Sequence, residues 1–101
     1  MKAPETIESM SELREEIDML DAKLVTLLAD RARLIDRAAV LKQKAAWPAR
    51  IDSRVEQVVE NVRAEAARQG LDPVLAESLW RALIEWAIAR EERVLGTGDS
   101  A

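Results

Sequence analysis

With 101 residues, of which 34% are charged and 49% apolar, the chain has the size and composition of one soluble globular domain, residues 1–101, and not of a disordered or membrane-spanning polypeptide. A net charge of -4 and a pI near 4.9 exclude nucleic acid and anionic membrane as expected partners, because both demand a basic surface. The absence of Cys and His excludes disulfides, thiolate centres and the usual transition-metal ligands, so neither metal nor cofactor is expected and any chemistry must come from Arg, Lys, Glu, Asp, Ser and backbone.

The opening MKAPETIESMSE has no apolar core of signal-peptide length, and no later stretch is long and uncharged enough to span a bilayer. The cytoplasm is therefore the default location. No period-two alternation marks a strand, and three helical segments follow one another, which predicts an all-α fold.

The first helix is expected over about residues 11–44, with Ser9 or Ser11 as N-cap and Glu15 and Glu16 in its early turns. Met10, Leu13, Ile17, Leu20, Leu24 and Leu27 form a heptad stripe whose next place is filled by Arg31. A cation in a packing seam needs an acidic neighbour, water or a bound anion, since stranding a buried charge costs on the order of 3 to 5 kcal/mol. The helix would be roughly 50 Å long, whereas a compact globule of this size has a radius of gyration near ~13 Å. Its stripe then needs a second chain to cover it.

A break is expected over residues 45–52, where Trp47-Pro48 forces an extended residue before the proline. Ser53 and Glu56 read as a capping box ahead of the stripe Val55, Val58, Val59, Val62, Ala66, and Gly70 ends that helix. The third helix opens with Asp72 as N-cap and Pro73 at its first position, carries Leu75, Leu79, Leu83, Ile84, Ile88 and Leu95, and stops at Gly96. Residues 97–101 are expected to fray.

Arg31 and Lys42 are 11 residues apart, which returns them to nearly one face with Cα atoms about 16 Å apart. Together they can grip a small dianion. Arg14 precedes Arg31 by 17 residues, about 25 Å along the axis and about 100° round it, so only an antiparallel second helix would bring it to an equivalent site. Arg54 lies in the first turn of the second helix, where the dipole also favours an anion. Glu91 sits on the edge of the third helix's apolar face, where burial favours a neutral carboxyl able to donate a hydrogen bond near neutral pH.

Each of these residues also has a plainer reading. Arg31 can be an interfacial arginine paired with Asp30 or a Glu, Arg14 a surface partner of Asp18, and Lys42 or Lys44 a cation at a helix C-terminus. Arg54 can be an exposed first-turn residue, although a cation there opposes the dipole, and Glu91 part of a solvated helix end beside Arg90 and Glu92. Trp47, Trp80 and Trp86 read as packing or interface residues, with Trp47 also placed to cover a site from its loop. A non-catalytic helical dimerisation module would share the apolar stripe but would have no use for Arg31 within it.

The run Leu13-Arg14-Glu15-Glu16-Ile17-Asp18-Met19-Leu20-Asp21, the stretch from Leu24 to Arg31, and Lys42, Arg54 and Glu91 together resemble the all-helical chorismate mutase family over roughly residues 8–95. The resemblance implies an intertwined homodimer of three-helix protomers, one long helix and two shorter, each site taking Arg14 from its partner. It further implies that chorismate is rearranged to prephenate, within the shikimate pathway and aromatic amino acid biosynthesis, without metal or cofactor. Arg14 and Arg31 would clamp the two carboxylates, Lys42 would donate to the ether oxygen and a carboxylate, and Glu91 would stand beside that oxygen. Arg54, Val55, Ala38, Ile84, Ala87 and Ile88 would complete the substrate-binding set. Two positions depart from the family pattern: Val55 stands where many members carry a Glu for the ring hydroxyl, and Ala87 where a Ser often holds a carboxylate. The related isochorismate-pyruvate lyases, which form salicylate, also have an apolar residue after the arginine, but usually have Gln at the Glu91 position.

Overall fold

The computed structural model describes residues 1–96, so the tail expected to fray lies outside the described residues. Three α-helices, α1 (Met10–Ala45), α2 (Asp52–Gln69) and α3 (Pro73–Leu95), follow a short 3-10 turn at Pro4–Thr6, and among the described residues there is no strand. The contacts divide the chain into two compact units, residues 1–34 and residue 35 onward.

In the first unit Ser9 is the cap of α1. Its Oγ accepts from the Glu12 amide at 3.1 Å and its carbonyl from Leu13 at 3.0 Å, which places the helix start at Met10 and rules out Ser11 as the cap. The Lys2 ammonium lies 2.6 Å from the Glu12 carboxylate. The heptad stripe is largely uncovered, with Ile17 48%, Leu24 50% and Leu27 62% exposed. Burying a leucine gains about 1.5–3 kcal/mol, so this face carries unrealised stabilisation.

In the second unit α2 packs on α3. Val59, Ile84, Ile88 and Ala49 form the buried cluster, flanked by Val55, Val58 and Leu95. The start of α3 packs through small and aromatic residues rather than its leucines. Leu75 and Leu79 are 46% and 49% exposed, and the inward positions are Ala76, buried, and Trp80, half-buried. Residues 76, 80, 84, 88 share one face by their spacing of four, and Leu75 and Leu79 fall one step round the cylinder from it.

The helix ends are set locally. α2 begins two residues earlier than a Ser53 cap allows: Ile51 is its N-cap and no side chain caps it, so the Ser53–Glu56 box does not form. Glu56 instead accepts from Arg81. Arg81 and Arg63 both hydrogen-bond Glu77, and those bonds, Arg81's first, hold its carboxyl below the usual carboxylate range. Gly70 ends α2 in the left-handed region at φ 77°, and Asp72 caps α3 by accepting from the Val74 amide at 2.9 Å, with Pro73 at the first helical position.

α1 ends in the same way as α2, but without a glycine. Ala46 holds φ 58°, its amide donating to Gln43 at 3.3 Å while the Trp47 amide donates to the Lys42 carbonyl at 2.9 Å. A side chain in this region is disfavoured, so Ala46→Gly is expected to stabilise the fold by about 0.5–1 kcal/mol. The check is a higher urea midpoint at unchanged m-value; an unchanged or lower midpoint would show that Ala46 carries no strain.

Candidate active site

The core of the second unit brings several of the predicted residues together. Val55 is half-buried against the cluster formed by Ile84, Ile88, Ala49 and Val59, and Ala87 is buried on the same helix. Against this apolar ground stands one ion pair, with the Lys42 ammonium 2.8 Å from Glu91 Oε1. The side chains are 19% and 5% exposed, so this is an interior pair rather than a surface one. Glu91 is thus deep inside the helical packing and not at its edge. Its Oε1 is buried and lacks an aligned hydrogen-bond donor among the described residues, so the contact with Lys42 is Coulombic and leaves hydrogen-bonding capacity unused.

Lys42 has a second partner, the carbonyl of Ala49, which accepts at 2.7 Å. Lys42 therefore ties the loop after α1 to α3, whereas Lys44 is exposed. Beside it lies an open cleft of about 350 Å³ lined by Lys42, Trp47, Pro48, Val94 and Leu95 among others. Trp47 is 59% exposed at its rim.

The remaining predicted residues lie outside this core. Arg54 is exposed in the first turn of α2 and donates to Gln57 Oε1 at 2.7 Å, and Ala38 is half-buried on α1. In the first unit Arg31 is half-buried and Arg14 exposed.

Three features escape sequence reasoning. The Ala49 carbonyl is a backbone group with no sequence signal. Arg50 forks onto Glu85, its Nη1 and Nη2 donating at 3.0 and 2.5 Å, and Arg90 forks onto Asp36 at 2.5 and 2.9 Å while lying 5.2 Å from the centre of the Trp86 ring. These arginine bonds hold the Glu85 and Asp36 carboxyls below their usual range. The partners are 35 and 54 residues apart, beyond any helical period.

Residues 13–92 match the sequence pattern of chorismate mutase type II. The chain belongs to the chorismate mutase type II family. The matched stretch carries Arg14, Arg31, Lys42, Arg54 and Glu91. Among individual relatives, the chain is 33% identical over 92 residues to an isochorismate pyruvate lyase of Pseudomonas aeruginosa, covering 90% of this chain and 89% of that protein. It is 26% identical over 89 residues to a chorismate mutase of Methanocaldococcus jannaschii, covering 88% of this chain and 90% of that one. A bifunctional chorismate mutase/prephenate dehydratase of Aquifex aeolicus is 36% identical over 56 residues, 55% of this chain but only 16% of the relative's length. The chain likewise spans 23% of the T-protein of Haemophilus influenzae.

Proposed function

We propose that the protein is a chorismate mutase, a single mutase domain acting as an intertwined homodimer on a small dianionic substrate. The observation that carries this reading is the Lys42–Glu91 pair, set against the Ile84 and Ile88 side of the core and flanked by an open cleft. The rearrangement to prephenate is pericyclic: the ether C–O bond breaks as a C–C bond forms, with no proton transfer and no covalent intermediate. A protein can accelerate it by holding a compact conformer and stabilising the charge that grows on the ether oxygen. Lys42 donates to that oxygen and to a carboxylate, Arg31 and the partner subunit's Arg14 grip the two carboxylates, and Arg54 adds positive potential near the ring. Val55, Ala38, Ile84, Ala87 and Ile88 shape the ring pocket.

Support for the homodimer comes from the exposed stripe of α1, which a second copy would bury. Sedimentation velocity is expected to give twice the 11.3 kDa chain mass, and Leu24→Lys to give a single chain; a parent already at one chain mass removes the shared site.

An amide at position 91 can donate a hydrogen bond to the ether oxygen, so Glu91→Gln is expected to keep turnover of chorismate; loss of turnover in this variant removes the donor role.

A second reading has its own support. Val55 presents an apolar side chain where the family's ring-hydroxyl ligand would stand, and the P. aeruginosa relative is named an isochorismate pyruvate lyase. The deciding experiment incubates the protein separately with chorismate and isochorismate and identifies products by NMR. Efficient prephenate formation supports the mutase; pyruvate and salicylate from isochorismate would assign the lyase instead, and no product from either would leave a dimerisation module.

A further inference from the structure

The Lys42 ammonium is held from two sides, and both refer to α3. Glu91 reaches it directly at 2.8 Å. The Ala49 carbonyl reaches it at 2.7 Å from the loop, and that carbonyl belongs to the peptide unit whose nitrogen is Arg50's. Arg50 in turn is clamped to Glu85 of α3 by two parallel hydrogen bonds, a geometry that fixes orientation as well as distance. Ala49 itself is buried in the same cluster as Ile84, the neighbour of Glu85. Swinging Arg50 away would free the peptide plane that aims its oxygen at Lys42.

We propose that Arg50 and Glu85 are a positioning pair that sets the Lys42 ammonium, acting through the Ala49 carbonyl without touching substrate. Their side chains are 45% and 59% exposed. A pair so open to solvent adds little to stability, so its effect falls on geometry rather than on folding. The use of that geometry in turnover rests on the mutase reading above; the positioning itself does not.

The chain has four lysines, so isotope-labelled lysine side chains are resolvable by NMR, with Lys42→Arg supplying the assignment. In Arg50→Ala the Lys42 ammonium signal is expected to shift towards that of exposed Lys44 and its protons to exchange about tenfold faster, with the melting temperature unchanged. In the same variant kcat/KM for chorismate is expected to fall about tenfold, mostly in kcat, because a displaced donor loses contact with the reacting oxygen. The exchanged pair Arg50→Glu with Glu85→Arg should restore both. An unmoved Lys42 signal in Arg50→Ala overturns the proposal, as does a swap that restores neither signal nor rate. A Lys42 signal that moves in a protein inactive on chorismate sustains the positioning and removes the mutase reading alone.

Discussion

Arg31→Ala is expected to lower kcat/KM for chorismate by about 10²–10³-fold while the protein stays folded and keeps its assembly. Removing one partner of a desolvated charge pair costs about 2–5 kcal/mol, and each ~1.4 kcal/mol is tenfold in rate. The loss should appear in both KM and kcat, because a carboxylate gripped in the ground state is also gripped in the transition state. Assembly should survive, since the proposed seam would rest on Leu24, Leu27 and their neighbours, and alanine is a good helix former at this position. Steady-state kinetics with sedimentation on the same sample separates the outcomes. Full activity removes Arg31 from the site, and loss of activity together with loss of assembly would make it an interface residue.

Lys42→Ala is expected to lower both turnover and stability. The proposed donor to the ether oxygen disappears, and Glu91, with a side chain only 5% exposed, is stranded without its cation. Breaking a buried pair from one side costs about 3–5 kcal/mol; the lower end applies here, since Lys42 retains 19% exposure. The informative comparison is Lys42→Met combined with Glu91→Leu. Replacing both ends of a buried pair by apolar groups is close to neutral for folding, so the double variant should recover most of the lost stability and none of the turnover. Urea unfolding and chorismate kinetics on the three proteins test this. Turnover in the double variant would mean that the pair serves the fold alone.

The same pair shows how far the sequence could be read. Lys42 was separable from Lys44 only by its register with Arg31, and the structure turns Lys42 inward and leaves Lys44 exposed. Glu91 was legible through its spacing from Ile84 and Ile88, but its depth was not, because charged neighbours at 90 and 92 look like a solvated end. The Ser53 box failed for a local reason: α2 begins at Asp52, and Glu56 is drawn to Arg81 across the helix pair. The spacing of Leu75 and Leu79 marks a helix but does not say which face packs, and close packing of α3 on α2 selects Ala76.

Periodicity, glycine and proline punctuation and side-chain caps act over a few residues, so the sequence alone determined three helices, their stops at Gly70 and Gly96, the Asp72 cap and the cations carried on α1. Contacts between residues 35 to 54 positions apart have no period to betray them. Tertiary packing alone decided that Glu91 is buried against Lys42, that the Ala49 carbonyl shares that ammonium, and that Arg50 is clamped to Glu85, because each depends on how separate elements meet.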